Sequence, residues 1–196
     1  MHRFLIGFLA LLAAGTAQAQ GWDAAYAPYP VTEDHVAQPI LAGTWEEAEA
    51  AFELLEFDLA LLQDGPTDEH PAAVAAMMAT VGPRFGRIEM GLRAAATVRQ
   101  ADGEAPGWCV EELLLALAVR KATAAAVDLT VAVPDRAAEP WDEAAYQAAL
   151  AELQEALGDY QEVAAAAAPR RARGWVGECA MPYGRVTIDG EAIEIR

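Results

Sequence analysis

Residues 109–133 read CVEELLLALAVRKATAAAVDLTVAV, and how this stretch is taken decides the fold. It opens at one of two cysteines and stops at Pro134. Its length is wrong for a buried strand, and Glu111, Glu112, Arg120, Lys121 and Asp128 argue against a membrane span. The reading is a helix buried among other helices. On a helical wheel the charges scatter instead of collecting on one face. Arg120 and Lys121 are therefore expected to be partly buried and paired with acids from neighbouring helices, an internal anion site being the minor alternative.

Three further helices are predicted around it. Thr44-Trp45-Glu46-Glu47 has the form of a capping box and marks a helix start. Trp45, Ala48, Phe52, Leu55, Leu59 and Leu62 follow at alternating spacings of three and four, ending before Gly65-Pro66. A second seam, Val74, Met78, Val81, Phe85, Ile88, Leu92 and Ala95, keeps phase across Gly82-Pro83. A kink is expected there, not a chain reversal. Thr67 or Asp68 is the expected cap of that helix. The last helix is expected to open at Pro140, with Asp142 and Glu143 in its first turn. Its seam runs through Tyr146, Leu150, Leu153, Leu157, Tyr160, Ala164 and Ala167 to Pro169. Arg170, Arg171 and Arg173 beyond it read as cations at the negative end of the dipole, a basic recognition patch being the minority reading.

Outside the helices the period changes. Residues 20–43 carry Pro28, Pro30 and Pro39 with Trp22, Tyr26 and Tyr29, which suits an extended segment lying over the bundle. At the other end, two alternating runs flank Asp189-Gly190, a two-residue turn signal for a β-hairpin over 185–195. Its register places Arg185 opposite Glu194 and gathers Val186, Ile188, Ile193 and Ile195 on one face, which has to pack on the helices because a lone hairpin is marginal.

Residues 1–19 have the parts of a cleaved secretory signal: Arg3, an apolar run, and Ala17-Gln18-Ala19 as the cleavage site. The mature chain is expected to be periplasmic or secreted, with one domain over 44–196. In that compartment Cys109 and Cys179 are expected to form a disulfide that ties the hairpin to the head of the third helix. A formal charge of −17 disfavours nucleic acid and anionic lipid, leaving a basic protein or a cationic ligand as the partner class.

Little chemistry is offered. His35 and His70 are the histidines beyond the leader, and neither lies in HExxH or in the Glu-x-x-His pair of a di-iron bundle. Nucleophile elbows, phosphate loops and paired-cysteine zinc spacings are absent from the sequence, so the chain reads as non-catalytic and without a cofactor. The alternative is a copper handler in which His70, Met77 and Met78 supply soft ligands. Met78 falls on the seam, however, where methionine is a common core filler.

One feature is unexpected on composition alone. Glu46, Glu49, Glu53 and Glu56 form an acidic ridge beside the apolar seam, with no lysine interleaved. Like charges at those spacings cost about 0.2–0.5 kcal/mol per pair. The ridge is read as a solvated face, or as a surface for cations or a basic partner. The fold expected is all-α, an up-and-down four-helix bundle with a small C-terminal hairpin tied on by one disulfide, serving as a binding or protein-interaction module.

Overall fold

The alternating seams close into four helices: α1 (Gln38–Asp64), α2 (His70–Ala101), α3 (Val110–Ala132) and α4 (Glu143–Arg171). The computed structural model describes residues 25–31, 37–64, 69–101, 108–133, 142–175, 177–188 and 191–195, the first and the last two of these segments as backbone. The leader, the expected caps Thr67 and Asp68, and the turn at Asp189-Gly190 lie outside the described residues.

Cross-helix contacts show that each neighbour runs antiparallel to the next. Glu47 meets Arg84 and Arg87, Glu89 meets Arg120, Lys121 meets Asp159, and Phe52 stacks on Tyr160 at 4.1 Å between ring centroids. This is the up-and-down order, with α1 on α2 and α3 on α4 as the two most extensive interfaces. Small residues make the second of these possible: Ala118, Ala122, Ala125, Ala149 and Ala156 are all buried, letting the two backbones approach. Large side chains dominate the first. Trp45, Phe52, Leu55, Leu59 and Leu62 face Val81, Phe85, Ile88 and Leu92 within one core, each such side chain contributing about 1.5–3 kcal/mol by leaving water. No described helix is long and apolar enough to cross a membrane.

Three helix ends differ from expectation. α1 enters at Gln38, ahead of Thr44. Thr44 is therefore not a cap: its hydroxyl donates to the Ile40 carbonyl at 2.7 Å, and Ala37, Leu41 and Trp45 extend the buried stripe toward the N-terminus. The extended segment read at 20–43 is accordingly shorter at its C-terminal end. α4 starts at Glu143, with the Asp142 carboxylate accepting from the Ala145 amide at 3.0 Å as its cap. It also continues through Pro169 to Arg171. α2 is continuous across Pro83, so the chain does not reverse there. In its seam Met77 is the fully buried methionine, and Met78 is only partly covered.

The backbone of β1 (Ala25–Val31), β2 (Gly177–Ile188) and β3 (Glu191–Ile195) pairs antiparallel in the order β1-β2-β3. β1 was not foreseen as a strand because of Pro28 and Pro30. On an edge, a proline's missing amide costs the ladder little. Residue 29 lies opposite 179, and 185 opposite 194. Of the three, β2 packs on α3.

Candidate functional site

The bundle end where α1 and α3 begin and α2 and α4 finish holds most of the buried charge among the described residues. Cys109 caps α3 in extended conformation (φ −87°, ψ 153°), and its amide donates to Glu112 Oε2 at 3.3 Å. An acid three residues into a helix favours the positive dipole end and satisfies a donor that would otherwise be orphaned. Glu112 is 0% exposed. It takes a bidentate pair from Arg99, in the last turn of α2, at 2.6 and 2.8 Å. Arg99 is itself 1% exposed.

Arg170, buried at the end of α4, adds the second cation. Its Nη1 pairs with Glu111 Oε1 at 2.5 Å, lies 3.6 Å from Glu112 Oε1 and donates to Cys109 Sγ at 2.8 Å. Among the described residues two guanidiniums thus meet two carboxylates, and three helices are tied in one knot. Desolvation pushes the Glu111 carboxyl above the usual glutamate range; neighbouring Glu112 adds to this, and Arg170 opposes it.

Two indoles adjoin the knot at Arg170. After α4 the chain turns through Gly174 (φ 64°) and Trp175 (φ 65°), and the Trp175 amide donates back to the Arg170 carbonyl at 2.8 Å. A left-handed tryptophan is unusual and persists only where its surroundings over-determine it. Here its ring lies beneath the Arg170 guanidinium at 5.4 Å and against Trp45 at 5.4 Å. Trp45 in turn lies under Arg171 at 5.7 Å. With both carboxylates paired to guanidiniums and Trp175 stacked on one of these, the cluster ties the ends of α2, α3 and α4 together.

Arg99 and Glu112 were not singled out from sequence, although a signal existed. Arg99 occupies the next position of the seam Leu92, Ala95, at the same spacing. Arg170 and Arg171 do lie in the last turn of α4, as expected of cations at its negative end, but α4 runs through Pro169 and Arg170 is buried there. Arg120 and Lys121 are paired with acids of neighbouring helices, as their scatter on the wheel requires: Arg120 with Glu89 at 3.2 Å, and Lys121 with Glu155 at 2.6 Å and Asp159 at 3.1 Å.

The soft-ligand candidates are not brought together. His70 and Met77 are seven residues apart on one helix, about 10 Å along its axis at 1.5 Å per residue, with Met78 a step further. Their ring and sulfur atoms therefore serve separate surroundings. His70 is buried with its Nδ1 at 2.9 Å from the Tyr146 hydroxyl, which also lies 3.3 Å from the Leu62 carbonyl. Met77 and Met78 line an apolar cavity of about 20 Å³ with Leu55, Val81, Phe85 and Ala126. Among the described residues no three His, Cys, Asp or Glu side chains cluster as a metal site.

The acidic ridge is at the surface. Glu46, Glu49, Glu53 and Glu56 are all exposed. One part of its reading needs correcting. Glu49 is relieved by Arg171 from α4 at 3.0 Å, a partner that no spacing within α1 could reveal. Glu47, on the flank, is taken by Arg84 at 3.1 Å and Arg87 at 2.6 Å.

No family model, no curated protein and no solved structure matches the chain. The functional reading rests on its own residues.

Proposed function

We propose that this is an exported, non-catalytic binding module that meets a basic protein or cationic ligand through the outer face of α1. The observation that carries the reading is the ridge. Glu46, Glu53 and Glu56 project from the bundle, and among the described residues Glu49 is the one ridge carboxylate with an ion-pair partner. In a chain with 30 acids and 13 bases, exposed unpaired carboxylates concentrate negative potential on that face. The non-catalytic part is supported by Arg99, Glu112 and Arg170 being engaged with one another and with Glu111 in the knot, and by His70 facing Tyr146.

Export and the disulfide belong to the same proposal. The leader at 1–19 places Cys109 and Cys179 in an oxidising compartment. Cys109 is buried at the head of α3, and β2, which contains residue 179, packs on α3. A bridge there would hold the C-terminal hairpin on the bundle. Free-thiol titration of the unfolded, unreduced protein is expected to find no thiol; two per chain would remove the bridge.

For the ridge, the test is capture from a periplasmic extract of the native host. Because Glu49 is already paired, Glu46, Glu53 and Glu56 are the informative positions. Their combined change to Gln is expected to leave stability equal or slightly raised, by about 0.2–0.5 kcal/mol per relieved pair. It should also weaken a capture that fades with salt. Identical, salt-insensitive partner lists for wild type and variant would end the reading.

A further inference from the structure

The outer face of α1 is not uniformly acidic. At about 3.6 residues per turn, Glu46, Glu53 and Phe57 lie on one line, directly away from buried Ala48, Leu55 and Leu62. Phe57 is 62% exposed, and Leu61, one turn further on, is 47% exposed. Residues of this size at that spacing on a surface helix form the anchor pattern by which one helix seats another. Here they continue the line of the acidic ridge.

We infer that the face running from Glu46 to Leu61 is a docking surface for a Lys/Arg-rich amphipathic helix of another protein. Its cations would reach Glu46, Glu53 and Glu56, and its apolar side would cover Phe57 and Leu61. The inference rests on the binding reading above and adds the kind of partner. Charge chooses this occupant over a second copy of the chain. Two such faces brought together would oppose the same carboxylates, in a molecule already at −17. It also argues against an anionic membrane, which the ridge repels. A basic segment without apolar residues would leave Phe57 and Leu61 in water, so affinity is expected to need both halves.

The test uses the full-length protein and a synthetic amphipathic Lys/Leu peptide of about 18 residues, long enough to form a helix on binding. A second peptide carries Ser in place of Leu. Titration at low and high salt is run on wild type, F57S/L61S, E53Q/E56Q and the control E152Q/E162Q, which removes two exposed charges from α4.

Expected results are weaker binding of the Ser peptide and a loss of about tenfold or more with F57S/L61S. E53Q/E56Q should lose affinity and salt dependence beyond the control. If F57S/L61S binds the Lys/Leu peptide as wild type does, the apolar half falls while the electrostatic reading stands. If E53Q/E56Q behaves like the control, the ridge itself is removed and both readings fail. Absence of binding to wild type also overturns both. Circular dichroism checks the fold of each variant. Should the double serine variant not fold, Phe57→Lys replaces it, and unweakened binding by that variant equally defeats the apolar half.

Discussion

Arg99 and Glu112 are the most deeply buried charged side chains among those described, and removing either deprives the other of its bidentate partner. Breaking such a pair costs about 3–5 kcal/mol, whereas replacing both partners with apolar residues of similar volume is often near neutral. Glu112 also takes the Cys109 amide and faces Arg170, so Glu112→Leu should cost more than Arg99→Met. The double variant should cost less than the sum of the two. Urea unfolding followed by circular dichroism measures the cycle, and additive losses would contradict the pairing. Two tyrosines give a pH prediction. Burial, with Glu143 adding to it, pushes the Tyr146 hydroxyl up to about 12. Burial followed by Glu49 does the same for Tyr160, to about 12, with Arg171 opposing and Glu53 adding. The unfolded chain ionises them near 10.0, so the folded state holds more protons between those values. The contribution is intact below pH 10 and is lost as pH rises toward 12. Tyr146→Phe should flatten part of that alkaline loss.

Between elements, α1 passes tightly over α2 at Gly91. A Cβ there would stand 2.1 Å from Thr44 Oγ1 and 3.2 Å from its Cβ and Cγ2. The hydroxyl alone cannot resolve this, because it is bonded to the Ile40 carbonyl and the carbons behind it are also tight. Gly91→Ala is therefore expected to separate the helices and destabilise by about 1–3 kcal/mol, despite alanine's better helix propensity. Thr44→Ala in the same chain should recover much of the loss. A lowered urea midpoint at unchanged slope, restored by the second change, is the expected pattern. The same contact explains why Thr44 failed as a cap signal. Its hydroxyl serves a turn already inside the helix, since Leu41 and Ala37 gain a place in the core by continuing it backward.

Across the molecule, each seam between neighbouring helices has its own ion pair: Glu47 with Arg84 and Arg87, Glu89 with Arg120, Lys121 with Glu155 and Asp159, Glu49 with Arg171. Exposed pairs contribute only about 0–1 kcal/mol each. They bear on which helices are neighbours more than on how stable the bundle is. The remaining acids repel one another, with 30 acids against 13 bases. Raising salt toward about 1 M, where screening acts over about 3 Å, should therefore raise the melting temperature by relieving net repulsion. A fall would show that the seam pairs outweigh it.

What the amino-acid order determined by itself is whatever repeats within one helix: the buried stripes of α1, α2 and α4, the continuity of α2 across Pro83, and the exposed acidic ridge. Each follows from helical period and apolar spacing, which are local. The partnering of Arg120 and Lys121 with acids on other helices was also legible, because a charge without a solvent face has to find a countercharge. Only the tertiary structure decided that Arg99, Glu112, Glu111 and Arg170 meet in one buried knot, that Arg171 relieves Glu49, and that His70 turns to Tyr146 and not to Met77. Those pairings join residues 13 to 122 positions apart. The physical reason is that an ion pair needs atoms within a few ångströms, and only the packing of one helix on another sets that distance.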